Sequence, residues 1–227
     1  MAIRVKRRVP RIKISNRYTP VAPILLEGFK GMKRSFFGLL SCVFLFASTV
    51  IADPSKGSPK AEMVQTIDSI ISIAGEHSGD SAKTVRRQKL RELINPKFNF
   101  AEMSKRSLGA NWNDLSASDQ SEFTKVFSEL LARTYLSKIE TVKPGMVKVE
   151  SEQIEPPRAV VKTVVISNGD SFPIDYKMMA GTTGSWQVYD VVIENIGLVA
   201  NYRNEFSGII RKDKFSGLME RLHKKVD

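Results

Sequence analysis

Residues 158–178 read RAVVKTVVISNGDSFPIDYKM and have the pattern of a β-hairpin. Apolar and polar residues alternate on both sides of Asn168-Gly169, a dipeptide that is typical of a two-residue type I′ hairpin turn. The sequence therefore predicts two antiparallel strands joined at this turn. The residues that share one face of the second strand are Phe172, Ile174, Tyr176 and Met178.

The same alternation extends the predicted sheet on both sides of this hairpin. Val147, Val149 and Ser151 predict a strand before it, and residues 186–193 predict a fourth strand after a turn at residues 181–184. Consecutive strands joined by short turns form an antiparallel meander.

Helical periodicity occupies the chain on either side of this meander. The clearest helix follows Ser116, a candidate N-cap with Asp119 three residues later, as in a capping box. Its apolar stripe is Phe123, Val126, Phe127, Leu130, Leu131, Tyr135 and Ile139. Further helices are predicted at residues 63–74, 81–93, 98–108, 201–211 and 214–225. Helices, then a meander, then helices predict an α+β domain with the helices packed on one face of the sheet.

The net charge of +11 points at first to nucleic acid or an anionic membrane as a partner. The charge is concentrated at the amino-terminal end, because residues 1–31 carry +7 and Lys33 and Arg34 add +2. Only +2 remains for residues 53–227. We therefore expect no nucleic-acid partner.

The chain from Met32 onward has the pattern of a secretory signal peptide. Two cations at positions 33 and 34 precede an apolar run that ends at the small residue Ala52, after which we expect cleavage. We interpret residues 1–31 as an upstream extension outside the fold and residues 32–52 as the signal peptide. Residues 53–60 are interpreted as a linker, and residues 61–227 as a single domain.

Two alternatives to cleavage after Ala52 remain open. One is an uncleaved membrane anchor, although the 17 residues from Phe36 to Ala52 fall short of the length that a spanning helix needs, about 20 apolar residues. The other is a lipoprotein, since Leu39-Leu40-Ser41-Cys42 resembles a lipobox.

Motifs for catalysis or metal binding are missing from the sequence. The two histidines, His77 and His223, are far apart, and there is no zinc, calcium, P-loop or nucleophile-elbow motif. We expect no metal, no cofactor and no enzymatic activity. An enzyme that uses Asp190 or Glu194 as an acid or base stays an alternative.

Three segments of the predicted domain carry a family resemblance. Residues 98–103 read FNFAEM and are followed by Leu108-Gly109 and Trp112; residues 186–195 read WQVYDVVIEN; and residues 198–206 read LVANYRNEF. With the order of elements from about Ala61 to Lys225, they resemble the MlaC family, also called the toluene-tolerance auxiliary family. The chain departs from that pattern at residues 195–197, where Asn-Ile-Gly replaces the common Gly-Val-Ser.

This resemblance implies a periplasmic phospholipid carrier of a Gram-negative bacterium. Such a carrier moves lipid between an outer-membrane lipoprotein complex and an inner-membrane ABC transporter with its periplasmic MCE subunit, and helps to keep the outer membrane asymmetric. The implied fold is nuclear-transport-factor-like, with an apolar cavity for the acyl tails between helices and sheet and the head group outside. The phospholipid would be cargo rather than a cofactor.

The candidate tail-binding residues are large apolar side chains from both layers, which would suit an adaptable apolar pocket. They are Phe100, Met103, Leu131, Tyr135, Ile174, Tyr176, Val191, Ile193, Leu198, Tyr202 and Phe206. Each of them also fits a packed core. Arg203 is a candidate for the head-group phosphate, and the alternative for it is an ion pair with Asp190 or Glu194. Another apolar cargo, such as a hopanoid or sterol-like lipid, and an envelope adaptor with a filled core also remain open.

Overall fold

The computed structural model describes residues 57–181 and 184–226. The predicted upstream extension, the signal peptide and the first half of the predicted linker lie outside these residues. Within them the chain forms helices and one five-stranded sheet, in the α+β arrangement that the sequence predicts. No helix of the described part is both long enough and apolar enough to cross a membrane.

Four α-helices precede the sheet and one follows it. They are α1 (Pro59–Glu76), α2 (Lys83–Ile94), α3 (Phe100–Leu108), α4 (Ala117–Ile139) and α5 (Leu198–Val226). Two 3₁₀ helices, Asn95–Lys97 and Gly109–Asp114, flank α3. The first helix starts inside the predicted linker, because Ser58 accepts a hydrogen bond from the Ala61 N–H and Pro59 fits the first turn.

Side-chain caps fix where α3 and α4 begin. Ser116 accepts a hydrogen bond from the Asp119 N–H at 3.1 Å, which confirms the predicted start of α4. Asn99 accepts one from the Glu102 N–H at 2.9 Å, so α3 begins at Phe100 rather than at Phe98. In both helices the cap satisfies an amide that has no partner within the helix.

The sheet is an antiparallel meander with its strands in chain order. The strands are β1 (Val147–Glu155), β2 (Arg158–Ser167), β3 (Asp170–Ala180), β4 (Trp186–Ile193) and β5 (Ile196–Gly197). Asn168 and Gly169 have φ values of 55° and 89°, which confirms the type I′ turn between β2 and β3. The fifth strand was not predicted.

A break at Lys214, where φ is 61° and ψ is −179°, interrupts α5. It falls where the sequence predicts the boundary between two terminal helices. The helix begins at Leu198, three residues before the predicted start. Strand β4 supplies its cap, since Asp190 Oδ1 accepts a hydrogen bond from the Val199 N–H at 3.1 Å.

The buried apolar side chains form two clusters. The helix cluster consists of Met103, Leu108, Phe123, Val126, Phe127, Leu130, Leu131, Val199, Tyr202, Phe206, Leu218, Met219, Leu222 and Val226. The sheet cluster consists of Met63, Ala159, Val161, Met178, Val188 and Val191. In the strand register, Val161 and Val191 flank Tyr176 on one face of the sheet, the face that receives α1 and the start of α5.

Glu140, at the end of α4, is bonded to α2 and through Arg86 to the loop between α1 and α2. Its carboxylate accepts hydrogen bonds from Arg86 Nε at 3.4 Å and from Arg87 Nη2 at 2.8 Å, and its side chain is only 10 % exposed. Arg86 also donates to the carbonyl oxygens of His77 and Gly79, which ties the α1–α2 loop to the same point. The hydrogen bond from Arg87 holds the pKa of Glu140 below its ordinary value, despite the opposing effect of burial.

The substitution Glu140→Gln should lower the free energy of unfolding by about 1–3 kcal/mol at pH 7. Because the folded-state pKa is depressed, this contribution is present above the ordinary carboxyl pKa of about 4.3 and is lost as pH falls through the folded value. Urea unfolding should therefore show a difference in the free energy of unfolding between variant and wild type that is smaller at pH 3 than at pH 7.

A matched control for this measurement is Glu220→Gln. The Glu220 carboxylate is 67 % exposed and pairs with Lys224 at 2.6 Å on the surface of α5, so its loss should change stability little. A gap for Glu140→Gln that is equally large at both pH values would contradict the assignment of the pH dependence to this carboxylate.

Candidate functional site

The two apolar clusters meet along a line of half-buried side chains, which we call the seam. Phe98 and Leu198 pack against both clusters, and Ile174, Tyr176 and Ile193 pack against the sheet cluster without being fully buried. Large apolar side chains at the boundary of two layers are thus only partly covered by protein. The seam is the part of the described structure that best fits an apolar ligand.

Five of the candidate residues come together on the sheet side of the seam. Strand pairing places Ile174 opposite Ile193 and Tyr176 opposite Val191, and Leu198 follows at the start of α5. The hairpin pattern in the sequence predicts part of this group, because period-two alternation puts Ile174 and Tyr176 on one face.

The other candidates belong to the helix side. Leu131 and Tyr202 are members of the helix cluster, and Phe100 and Tyr135 are half-buried against it. Burial raises the pKa of Tyr202 to about 12, so its hydroxyl is neutral at pH 7. Burial likewise raises the pKa of Tyr135, and a hydrogen bond with Tyr202 acts in the opposite direction.

Met103 and Phe206 are enclosed by protein rather than placed on the seam. Neither side chain has any exposed surface. The ring of Phe206 stands edge-on to Phe127 and Phe123, with centroids 5.5 Å and 5.7 Å away, and lies 5.3 Å from the ring of Tyr202. A side chain that other residues already enclose has no surface left for a lipid tail. In this arrangement both residues belong to the helix core, and we infer that they do not contact a tail.

Arg203 fastens α5 to the end of α3. Its Nε donates to the carbonyl oxygen of Arg106 at 2.6 Å, and its stem lies over Gly109, where an added Cβ would be 3.6 Å from Arg203 Cδ. The ion pair with Asp190 or Glu194 that was considered as an alternative is not found among the described residues. Arg203 is exposed, and its two outer guanidinium nitrogens have no hydrogen-bond partner among the described residues. Contact between Arg203 and the head group stays a prediction.

Asp190 and Glu194 have separate surroundings. Asp190 accepts from Lys177 Nζ at 3.2 Å through Oδ2 and from the Val199 N–H through Oδ1, so it caps α5 and pairs with a strand neighbour. Glu194 is exposed in the two-residue turn between β4 and β5. These contacts give Asp190 a structural role and offer no support for an acid/base pair.

Helix α1 contributes to the seam in a way that the sequence analysis missed. Met63 is part of the sheet cluster and Ile67 packs against it. Two hydrogen bonds attach the amino-terminal end of α1 to strands β1 and β4. The Lys60 N–H donates to Glu152 on β1 at 2.8 Å, and the Trp186 N–H on β4 donates to Glu62 at 3.4 Å. The signal in the sequence is the apolar stripe of this helix, which includes Met63 and Ile67.

Phe98 is a further residue that the sequence analysis did not select. Its ring stacks on that of Phe100 with a centroid distance of 5.7 Å and an interplanar angle of 16°. Its backbone bridges to Val188, and the Asn99 N–H donates to the Val188 carbonyl at 2.8 Å, which fixes the start of α3 against β4. The aromatic pair therefore lies where α3 meets the sheet.

Comparisons with known proteins agree with this architecture. The family model described as MlaC protein matches residues 64–224. The intermembrane phospholipid transport system binding protein MlaC of Haemophilus influenzae is 23 % identical over 199 residues, which cover 83 % of this chain and 92 % of that protein. A solved structure of the phospholipid-binding protein from Ralstonia solanacearum, in complex with a phospholipid, matches with a TM-score of 0.64 at 23 % identity. That match covers 75 % of this chain and 97 % of the other, and it confirms the fold.

Proposed function

Since this chain belongs to the MlaC family, we propose that it is a periplasmic phospholipid carrier that holds the acyl tails along the seam. The names of two relatives support the cargo: one is a phospholipid transport binding protein, and the other was solved with a phospholipid bound. We further propose that the carrier exchanges lipid with an outer-membrane lipoprotein complex and an inner-membrane ABC transporter with its MCE subunit, and so helps to keep the outer membrane asymmetric.

The observation that carries this proposal is that the two apolar layers meet without merging into one core. A filled core would bury the side chains between the layers, but Phe98 and Leu198, which pack against both clusters, keep partial exposure, as do Ile174 and Ile193 on the sheet side. Apolar surface that remains accessible inside a domain favours an apolar ligand, because covering it with hydrocarbon is favourable.

The energetics of lipid transfer explain why a carrier is needed. Burial of each methylene group contributes about 0.8 kcal/mol, so two acyl chains that crossed water unaided would forgo on the order of 20 kcal/mol. A protein that covers the tails removes most of this barrier. Release then requires a partner that opens the seam or offers a competing apolar site. This is a binding cycle in which no bond of the lipid is broken.

The proposed tail contacts are the residues of the seam and the neighbouring members of the two clusters. They are Phe100, Leu131, Tyr135, Ile174, Tyr176, Val191, Ile193, Leu198 and Tyr202, with Met63, Ile67 and Phe98 added from the structure. We propose that the outer guanidinium nitrogens of Arg203 contact the phosphate, since the described residues engage this side chain only through Nε.

Lipid extraction from the purified protein tests the proposal. After expression of the full chain in a Gram-negative host, we expect native mass spectrometry to show a species that carries phospholipid, and thin-layer chromatography of the extract to identify it. Protein that is lipid-free and also takes no phospholipid from vesicles would contradict the proposal. A hopanoid or sterol-like lipid in the extract would keep the carrier function and change the cargo.

A further inference from the structure

Tyr176 places a hydroxyl group on the apolar face of the sheet. The residue lies within β3, with the buried residues Val161 and Val191 as its partners on the two neighbouring strands. Its side chain packs against the sheet cluster and is half-buried. The phenol is therefore surrounded by hydrocarbon but can still be reached by a small molecule.

Among the described residues this hydroxyl has no hydrogen-bond partner. Burial raises the pKa of Tyr176, and a tyrosine with its ordinary or a raised pKa is a neutral phenol that can donate at pH 7. The contrast with Thr163 on the adjacent strand is informative. The Thr163 hydroxyl is buried on the same face and donates to the Ile174 carbonyl oxygen at 3.0 Å. The sheet thus satisfies one hydroxyl of this face internally and leaves the other one free.

A hydroxyl that has no protein partner and lies in an apolar surface favours a ligand that supplies an acceptor, because the hydrocarbon of that ligand displaces the water that would otherwise bond to the hydroxyl. In a diacyl phospholipid the acceptors are the head-group oxygens and the two ester groups, and the rest of each tail is hydrocarbon. With the phosphate at the exposed Arg203, as proposed above, the ester carbonyls are the acceptors that reach furthest into the protein. The chemistry of the ligand therefore leaves one class of acceptor for an enclosed donor.

Building on the proposed function, we propose that the Tyr176 hydroxyl donates a hydrogen bond to an acyl-ester carbonyl oxygen of the bound lipid. This contact sets how deep the tails lie and makes Tyr176 a residue that selects ester-linked lipids. A dialkyl phospholipid has the same chain length and head group but no carbonyl, so it offers the donor only an ether oxygen, which is a poorer acceptor. A site built around a hydrogen bond discriminates against an analogue that lacks the acceptor.

The test is a competition between diacyl and dialkyl phosphatidylglycerol of equal chain length. The purified full chain is incubated with vesicles that contain both lipids in equal amounts, and the lipid bound is identified by mass spectrometry. We expect wild type to enrich the diacyl lipid about fivefold to tenfold, the size of one neutral hydrogen bond. Tyr176→Phe, which removes only the hydroxyl, should bring the ratio close to one.

Tyr189→Phe is the matched control, because Tyr189 makes a different contact. Its ring lies under the guanidinium of Arg106 at 4.5 Å, and the substitution leaves that ring in place. This variant should keep the wild-type preference. Equal loading of the two lipids by wild type, or an unchanged preference in Tyr176→Phe, would overturn the role of Tyr176 and leave the carrier function intact. Loading of neither lipid would overturn both.

Discussion

Replacing Ile174 with Trp should reduce phospholipid loading by an order of magnitude. Ile174 is half-buried on the seam and lies opposite Ile193 in the sheet, so the larger ring would occupy space that we assign to a tail. Displacing two methylene groups from apolar contact costs about 1.6 kcal/mol, which corresponds to a loss of roughly fifteenfold in affinity. Loading from vesicles is measured as lipid per protein by native mass spectrometry.

The control for this substitution is Ile166→Trp. Ile166 lies on β2, on the opposite face of the sheet from Val161 and Thr163, and is 42 % exposed. The same change in size there should leave loading at the wild-type level. Thermal unfolding of both variants checks that the fold is retained. An Ile174→Trp protein that folds and loads normally would show that the tails do not lie against this part of β3.

Local patterns were enough to predict most of the fold. The Asn168-Gly169 turn set the register of β2 and β3, and with the register fixed, alternation determined which side chains share a face. The Ser116 cap set the start of α4 in the same way. Each of these features depends on residues within a few positions of one another, which a single sequence contains in full.

The short strand β5 could not be predicted because its turn breaks the usual residue preferences. Glu194 and Asn195 have φ values of 48° and 67°, and they pair Ile193 with Ile196. Asn tolerates this conformation, but Glu rarely adopts it. Packing of the adjacent strand and helix, rather than local preference, keeps the turn in place.

The candidate site was only partly predictable, since periodicity shows which face of a helix is apolar but not what covers it. Leu198 and Phe206 both lie on α5, yet the first reaches the seam and the second is enclosed by aromatic rings from α4. Arg203 shows the same limit for polar groups. Its acceptor is a backbone carbonyl 97 residues away, and no side-chain pattern marks such a group.

The distinction between core and seam leads to opposite outcomes for two phenylalanines. We expect Phe206→Ala to lower the free energy of unfolding by about 3–5 kcal/mol, because it leaves a cavity where the ring now contacts Phe123 and Phe127. Phe100→Ala should lower the free energy of unfolding by less, since part of the Phe100 side chain is already accessible to solvent. Urea unfolding of the two variants measures this difference.

Phe100→Ala should reduce lipid loading more than a change at Phe206, although it reduces stability less. Phe100→Ala removes surface from the seam and should lower the lipid bound per folded protein, whereas a change at Phe206 acts on stability alone. Phe206→Leu gives a folded protein for this comparison if the alanine variant is too unstable to purify, because it retains much of the buried volume. Reduced loading by stable Phe206→Leu, with normal loading by Phe100→Ala, would place the tails among α4 and α5 instead. The helix cluster would then have to open to admit the tails, and the arrangement in which its rings are enclosed would be the ligand-free state of the site.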